Sequence, residues 1–315
     1  MNCHTLNDFR VNHGEAIDGL LTQMIGTLLC KGLVKVERIG QDGTRIRAGA
    51  GRRSFKKRPT LEVHLKEAKK HVEAVKRLAE DSAMGAKRKA AMERSARERE
   101  NRLAAALAEM QKMELAKSQQ KEKPSKENPP KASETDPEAR LMRMPDGGVS
   151  SGYNVQFATA TEGRAIVGVE VTNAGSDVHE SVPMRKQVEE RSGCEVKEHL
   201  MDGGYVGLEQ IDAAGAEGVM VYAPLPKSKK EGVDPHAPKK GDSQELAAWR
   251  ARMGTQEAKE IYKQRASTSE TVNAEVKTFR GLRDVLVRGI KKVKCLALWS
   301  ALAYNAVHFA SRLTG

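Results

Sequence analysis

The sequence predicts an α/β fold in which a mixed sheet with flanking helices is interrupted by a long helical hairpin. Three observations support this prediction. Short segments such as LVKVERIG and AIVGVEVTN alternate apolar and polar residues, which is typical of strands. Other segments carry apolar residues at helical spacing. One region repeats apolar residues every three or four positions, which is the pattern of helices that pack along a shared seam.

The composition indicates a polyanionic partner. Of the 315 residues, 39% are hydrophobic, 4% are aromatic and 30% are charged, so part of the chain is expected to be extended and solvated. A formal net charge of +12 favours nucleic acid over a neutral small molecule. The four cysteines show no C-x-x-C spacing, which argues against a zinc knot. No apolar run approaches the roughly 18 residues of a membrane span, and no signal peptide is evident. We therefore expect a cytoplasmic protein.

A helical lead segment, residues 1–32, precedes the first strand. Apolar residues recur there at near-helical spacing. From Leu33 the alternating pattern predicts a strand that ends at Asp42, within the first part of the core, residues 33–59. The pair Asp42-Gly43 is also the commonest signal of a tight hairpin turn, so TRIRAGAG could be a returning strand. Asp42 is thus either a site residue at a strand end or a turn residue.

A basic run and a helical hairpin follow. The run is a candidate contact for DNA phosphates and comprises Arg52, Arg53, Lys56, Lys57 and Arg58. Residues 60–118 are predicted to be a helical-hairpin insertion, with a heptad seam through Leu61, Leu65, Ala68, Val72, Val75 and Ala79. The hairpin is either a self-packed, solvated insertion or a surface that contacts DNA or a second protomer. Residues 119–145 are predicted to be a flexible linker, because most of this stretch lacks apolar periodicity and contains several prolines.

The remainder of the core, residues 146–315, opens with a predicted hairpin of YNVQFATA and AIVGVEVTN. A helix and the strand CEVKEHLM then lead to Asp202, so a second aspartate follows a strand. Loops beyond strand ends of open α/β sheets commonly bind ligands, although Asp202-Gly203-Gly204 also fits a plain turn. Downstream we predict a helix, a buried strand in GVMVYAP and a closing apolar helix in CLALWSALAYNAVHFASRL.

A late helical segment combines four groups suited to phosphate chemistry, namely Tyr262, Arg265, Glu270 and Lys277. At 100° per residue, Glu270, Asn273 and Lys277 share one polar face, and apolar residues lie opposite. A purely structural alternative exists, because Ser267-x-x-Glu270 is a capping-box pattern at which a helix could begin.

The three acids follow the chain order of the ribonuclease-H-like fold, in which such positions converge at one sheet edge. At this point the chain resembles the DDE transposases of bacterial insertion sequences. The matching residues are Asp42 in QDGTRIRA, Asp202 in MDGGY, and Tyr262, Arg265, Glu270 and Lys277 of the tyrosine-arginine-glutamate-lysine signature. The segments YNVQFATATEGRAIVGVEVTNAGSD and LALWSALAYN also resemble that family.

Two features depart from the family pattern. Four residues separate Arg265 from Glu270, where the general signature has three. Only 41 residues precede Asp42, whereas family members usually carry a larger N-terminal helical region that binds the transposon ends. An N-terminally truncated chain is therefore expected.

The resemblance implies metal-dependent cleavage and strand transfer of DNA. Asp42 would bridge two Mg²⁺ ions, for which Mn²⁺ can substitute, and Asp202 and Glu270 would each complete one site. Lys277, Tyr262 and Arg265 would hold phosphate oxygens. The implied partners are double-stranded DNA, as transposon ends and target, and a second copy of the chain in an active homodimer. The alternative functions are an inactive or regulatory DNA-binding fragment and a coiled-coil scaffold, of which the second leaves the ordered acids unexplained.

Overall fold

The computed structural model describes residues 8–9, 11–81, 85–119, 129–226 and 234–314. The chain forms two compact units. The first comprises Met1–Ile46, Tyr153–Val285 and Lys291–Gly315, and the second comprises Arg47–Gly152 and Leu286–Ile290. The first unit is a mixed sheet with flanking helices, which confirms the predicted α/β class and is consistent with a ribonuclease-H-like fold. No helix in the described part of the chain is long and apolar enough to span a membrane.

Besides a short 3₁₀ helix (Gly203–Tyr205), the first unit contains five strands, seven α-helices and a π-helical stretch among the described residues. In chain order these are α1 (Gly14–Cys30), β1 (Lys35–Arg47), β5 (Val149–Glu162), β6 (Ile166–Thr172), α4 (Ser181–Ser192), β7 (Glu198–Leu200), α5 (Leu208–Ala216), β8 (Met220–Tyr222), α6 (Gln244–Gly254), α7 (Gln256–Arg265), a π-helical stretch (Ala266–Glu270), α8 (Thr271–Phe279) and α9 (Ile290–Thr314). The ends of β1 and β5 extend into the second unit.

The strands of the first unit are ordered β6-β5-β1-β7-β8. β7 runs parallel to both β1 and β8, and β6 is antiparallel to β5. Residues 151–160 of β5 are all buried, which places this strand inside the core rather than at a solvated face. Helix α1 packs against α4, and its buried residues Ile17, Leu21, Ile25 and Leu28 show the helical spacing that the sequence predicts.

The prediction that a strand ends at Asp42 is wrong. β1 continues through Asp42 to Arg47, so the alternative of a hairpin turn at Asp42-Gly43 is wrong as well. The reason for the glycine is a close approach between strands. A Cβ on Gly43 would lie 2.5 Å from Gln156 Nε2 and 2.7 Å from Asp177 Oδ1. The backbone therefore needs glycine here because of tertiary packing.

The second unit contains β2 (Phe55–Lys56), α2 (Arg58–Asp81), α3 (Ala86–Gln119), β3 (Ala132–Ser133) and β4 (Arg140–Arg143). Helices α2 and α3 pack against each other through one cluster with Leu61, Ala68, Leu103, Ala106, Met110 and Ala132, and a second with Val72, Val75 and Ala96. Arg58 forms an ion pair with Glu114 at 2.5 Å, which joins the first turn of α2 to the last turns of α3. The two ends of the hairpin are therefore adjacent.

The prediction of a flexible linker over residues 119–145 does not hold for residues 129–145. This part contains β3 and β4, and Ala132, Ser133 and Asp136 are fully buried. β3 is antiparallel to β2, and β4 is antiparallel to the first residues of β5. Composition suggested a linker because both strands are short and the partner of β3, strand β2, lies far away in the sequence. The part of the predicted linker at 120–128 lies outside the described residues.

Candidate active site

Asp42 and Asp202 follow equivalent positions of two adjacent parallel strands. The register pairs Gly40 of β1 with Leu200 of β7, and each aspartate lies two residues further on. Because residues i and i+2 of a strand point to the same face, Asp42 shares the face of Gly40. The register thus brings the two aspartates side by side where β7 has ended and β1 continues.

Asp202 is held in place by the turn that follows it. Its Oδ1 accepts a hydrogen bond of 2.7 Å from the Gly204 amide and caps the short 3₁₀ helix Gly203–Tyr205. Its Oδ2 lies 3.9 Å from Arg265 Nη2. One carboxylate oxygen is thus fixed by the backbone and the other faces the cluster.

The π-helical stretch Ala266–Glu270 brings Glu270 to Arg265. Residues five apart lie about 140° apart on an α-helix, whereas a π-helix closes its hydrogen bonds between residues i and i+5. Arg265 Nη1 accordingly donates to Glu270 Oε1 at 2.8 Å. The additional residue between Arg265 and Glu270, relative to the family signature, is accommodated by this local change of helix type. The capping-box alternative does not hold, since Glu270 lies within a continuous helical segment.

Arg265 lies at the centre of the three acids. Its Nη2 donates to Asp42 Oδ1 at 3.1 Å, and Asn273 Nδ2 donates to the other oxygen, Asp42 Oδ2, at 2.8 Å. The side chains of Asp42 and Arg265 are 17% and 10% exposed, whereas those of Asp202 and Glu270 are 43% and 55% exposed. The site thus has a buried side formed by Asp42 and an open side from which a substrate can enter.

Asp42 and Arg265 influence each other's protonation. Burial raises the pKa of Asp42, and the Arg265 guanidinium and the Asn273 amide offset this effect only in part. Burial alone would lower the pKa of Arg265, but the charge of Asp42 and its neighbours outweighs it and raises that pKa. Arg265 is therefore a permanent cation, and the cluster of three acids and one arginine has an excess of carboxylates.

Tyr262 and Lys277 flank this cluster on the same helical segment. Tyr262 is half-buried, packs against the apolar cluster around Trp249, and has a pKa raised by burial. Lys277 is half-buried one turn beyond Asn273 on α8. Tyr262 on α7 and Lys277 on α8 thus lie on either side of the π-helical stretch that contains Glu270.

The basic run lies in the second unit. Arg52 and Arg53 are exposed in a short 3₁₀ helix, Lys57 is exposed and Lys56 is half-buried. Arg58 differs from the others because it pairs with Glu114 and Glu62 within the helical hairpin. Its role as a DNA contact stays a prediction, and the structure gives it a stabilising function within the hairpin.

A fourth acid, Asp177, was missed by the sequence analysis. Its Oδ1 accepts hydrogen bonds of 2.6 Å from both Asn154 Nδ2 and Gln156 Nε2 on β5. A Cβ on Gly204 would lie 2.9 Å from Asp202 Oδ1 and 3.6 Å from Asp177 Oδ2, so the two carboxylates flank the same glycine. The available signal was the pair of amides, Asn154 and Gln156, at alternate positions of β5.

Tyr205 completes the buried side of the cluster. Its hydroxyl donates to Gln156 Oε1. Burial raises its pKa well above the ordinary value, and the charges of Asp177, Asp42 and Asp202 add to this effect. The phenol therefore stays protonated and lies within the electrostatic reach of three carboxylates.

The oxygen-bearing side chains of this cluster are of the types that bind divalent cations. Carboxylate oxygens are the ligands that Mg²⁺ prefers, and a buried amide oxygen, Asn273 Oδ1, lacks a hydrogen-bond partner among the described residues. Within that same part of the chain, no group of three or more His, Cys, Asp or Glu side chains is arranged to hold a metal ion. The Arg265 guanidinium instead bridges Asp42 and Glu270. Cation binding would thus require these side chains to exchange the guanidinium for the ion.

Comparison with known proteins gives one family match. Residues 228–310 match the model of the transposase DDE domain. This stretch contains Tyr262, Arg265, Glu270 and Lys277, and it ends within α9. Neither a curated protein nor a solved structure matches the chain. The family match supports a DDE transposase, and hence DNA cleavage or transfer related to transposition.

Proposed function

We propose that the chain is a DDE transposase that cleaves and joins DNA strands with divalent cations held by Asp42, Asp202 and Glu270. The observation that carries this proposal is the contact of all three carboxylates with one guanidinium, that of Arg265. Groups that share a guanidinium are close enough to share a pair of cations about 4 Å apart. The transposase match over residues 228–310 supports the same reaction class.

The proposed reaction is displacement of one oxygen by another at phosphorus. Water attacks a DNA phosphodiester and displaces its 3′-oxygen, so that a 3′-hydroxyl and a 5′-phosphate result. That hydroxyl then attacks a phosphodiester of the target strand and displaces the 3′-oxygen of the target. Mg²⁺ or Mn²⁺, when bound, supplies activation of the attacking oxygen and neutralisation of the charge that develops on the leaving oxygen. No covalent protein nucleophile is required.

The chain's own residues have separate roles in this proposal. Asp42, buried and fixed by Asn273, would be a rigid ligand for the cations, whereas Asp202 and Glu270 are exposed enough to adjust to a bound cation. The guanidinium of Arg265, once released from Asp42, is positioned to bind a phosphate oxygen with charge-assisted hydrogen bonds. Tyr262 and Lys277 add a phenol and an ammonium to the same phosphate-binding side.

A plasmid-nicking assay tests the proposal. Supercoiled DNA is incubated with Mg²⁺ or Mn²⁺ and wild-type protein, Asp202→Ala, or Glu209→Gln as a control that removes an exposed acid of α5. Loss of a cation ligand is expected to lower the nicking rate by at least about 100-fold, while Glu209→Gln keeps the wild-type rate. DNA binding by Asp202→Ala should persist or strengthen, because a carboxylate that repels phosphate is removed. Binding without any metal-dependent nicking by wild type would support a regulatory DNA-binding protein instead.

A further inference from the structure

A second cavity of about 380 Å³ lies in the first unit, separate from the acid cluster. It is lined by the turn between β5 and β6, by the end of α7 with the π-helical stretch, and by α9. The lining residues are Thr161, Gly163, Arg164, Gln264, Ser267, Thr268, His308 and Arg312. They include two guanidinium groups, three hydroxyls and an amide, but no carboxylate. This chemistry suits an anion with several acceptor oxygens.

Among the described residues, no acid neutralises either arginine of this cavity. Neither Arg164 nor Arg312 forms an ion pair with a carboxylate in the described part of the chain. The nearby acid Glu275 is paired with Arg280 at 3.1 Å. The Arg312 guanidinium lies 5.6 Å from the centroid of the Phe309 ring, which limits its freedom on the face of α9. Two cations thus line one cavity without a protein counter-ion.

The backbone conformation of Arg164 is a second indication that this residue has a specific role. The turn between β5 and β6 has φ of +89° at Gly163 and +60° at Arg164, as in a type I′ hairpin turn. Arg164 is the only non-glycine with positive φ among the described residues. Glycine or asparagine is preferred at such a position, so an arginine is retained against local preference. The turn is held to α9 by His308, whose Nε2 donates to the Gly163 carbonyl at 3.0 Å.

The cavity lies on the same side of β1 as Asp42. Arg38 Nη1 donates to Gln264 Oε1 at 3.1 Å, and the next residue, Arg265, binds Asp42. The Thr161 hydroxyl donates to the Arg38 carbonyl at 3.2 Å. Arg38 and Asp42 are four residues apart on one strand, which corresponds to roughly 13 Å. The cavity is therefore separated from the candidate active site by about four residues of β1.

We propose that this cavity binds a backbone phosphate of the same DNA strand that is cut at the acid cluster. The inference rests on the proposed function. The roughly 13 Å between Arg38 and Asp42 corresponds to about two nucleotides of one duplex strand, because successive phosphates wind around the helix as well as rising about 3.4 Å along its axis. The bound phosphate would fix the position of the strand relative to Asp42, Asp202 and Glu270. It would carry no sequence preference, because phosphate contacts do not read bases.

The first test measures DNA affinity against salt concentration. Arg164→Gly removes the guanidinium and relieves the positive-φ conformation, so the variant should fold at least as well as wild type. Arg312→Gln removes the second charge. Each variant should reduce the slope of log K against log salt by about 0.9, the value for one lost phosphate contact. The control Lys292→Gln removes an exposed cation of α9 that lies about 30 Å along the helix from Arg312, and it should leave the slope unchanged.

The second test locates the phosphate. Single methylphosphonates, which are neutral, replace the phosphates of a duplex one at a time. In wild type, the substitution about two nucleotides from the nick should weaken binding, and in Arg164→Gly the same substitution should have no further effect. An equal loss in both proteins, or an unchanged salt slope in Arg164→Gly, would overturn the inference. Thermal stabilisation by inorganic phosphate that depends on Arg164, with DNA binding unaffected, would also overturn it in favour of a small-anion site.

The two proposals fail in different ways. If wild type shows no metal-dependent nicking while Arg164→Gly still lowers the salt slope, the catalytic proposal fails and the phosphate site stands as a DNA-binding site. If nicking occurs and depends on Asp202, but Arg164→Gly changes neither the slope nor the methylphosphonate pattern, the phosphate site fails alone.

Discussion

Arg265 and Glu270 are five residues apart and still form an ion pair of 2.8 Å, because the helix between them is a π-helical stretch. This ion pair explains how the additional residue between Arg265 and Glu270, relative to the family signature, is accommodated. π-helical stretches absorb one additional residue without changing the register of the helices on either side. The polar face with Glu270 and Asn273 is thus preserved although the spacing differs.

Deletion of Ala266, an exposed residue of the π-helical stretch, should therefore be tolerated. The segment would convert to a regular α-helix with α7 and α8 still in register, and we expect the free energy of unfolding to change by less than about 1 kcal/mol. Deletion of Ala274, an equally exposed residue of α8, is the matched control. It rotates the fully buried Val276 out of the core and should cost about 2–4 kcal/mol. Equal destabilisation by both deletions, in urea unfolding, would contradict this explanation.

Replacement of Arg265 should make the protein more dependent on divalent cations. Arg265→Gln leaves the carboxylates of Asp42 and Glu270 without their shared cation, and it should destabilise the metal-free protein by about 1–3 kcal/mol after allowance for solvent screening. Mg²⁺ or Mn²⁺ can occupy the vacated position, so either ion should raise the Tm of the variant more than that of wild type.

Arg38→Gln is the control for this measurement, because Arg38 pairs with Glu198, outside the acid cluster. It should lower the Tm without any additional response to Mg²⁺. The same metal-induced Tm shift in wild type, Arg265→Gln and Arg38→Gln would show that the guanidinium does not lie where cations bind.

Asp177→Asn tests whether the fourth acid belongs to the cation site. Loss of its charged hydrogen bonds with Asn154 and Gln156 should cost about 1–2 kcal/mol of stability. If the negative charge of Asp177 also helps to hold cations at the site, the variant should bind Mn²⁺ several-fold more weakly in calorimetric titration. Asp212→Asn provides the comparison, since Asp212 accepts a hydrogen bond from Ser243 at the start of α6. A stability loss with unchanged Mn²⁺ affinity would make Asp177 a structural residue only.

Removal of the helical hairpin, residues 60–118, should leave the first unit folded. The seam between α2 and α3 is largely satisfied within the hairpin, and the pair Arg58–Glu114 shows that the two ends meet, so a short Gly/Ser linker can close the gap. Cooperative unfolding of the shortened protein, monitored by the fluorescence of the buried Trp249, should persist. A non-cooperative transition would mean that the first unit needs the hairpin.

The elements with strong local patterns were predictable from the sequence. Strands β5 and β6 and the apolar helix α9 lie where the sequence predicts them, although β5 and β6 are buried on both faces and not only at alternate residues. The chain order of the three acids also indicated the fold class, because it matches the order in the ribonuclease-H-like fold. The length of β1 was not predictable, because Asp42-Gly43 has the local chemistry of a turn while Gly43 is required by contacts with β5 and Asp177.

The central position of Arg265 and the inclusion of Asp177 in the site were not predictable either, because both depend on contacts between distant segments. A residue pattern indicates that Arg265 and Glu270 share a helix, but not that the helix changes type between them. Asp177 ends the segment that resembles the transposase family, but its place in the site follows only from its hydrogen bonds with Asn154 and Gln156 of β5. Both features are set by contacts between segments that are distant in the sequence.

The most direct test of the account is a change of metal preference at Asp202. A cysteine thiolate is a poor ligand for Mg²⁺ and a better one for softer ions such as Mn²⁺ and Cd²⁺. Asp202→Cys should therefore nick DNA at least about 100-fold more slowly than wild type in Mg²⁺ and recover a large part of the rate in Mn²⁺ or Mn²⁺ with trace Cd²⁺. Nicking by Asp202→Cys at the wild-type rate in Mg²⁺ would contradict the assignment of Asp202 as a cation ligand, and with it the proposed active site.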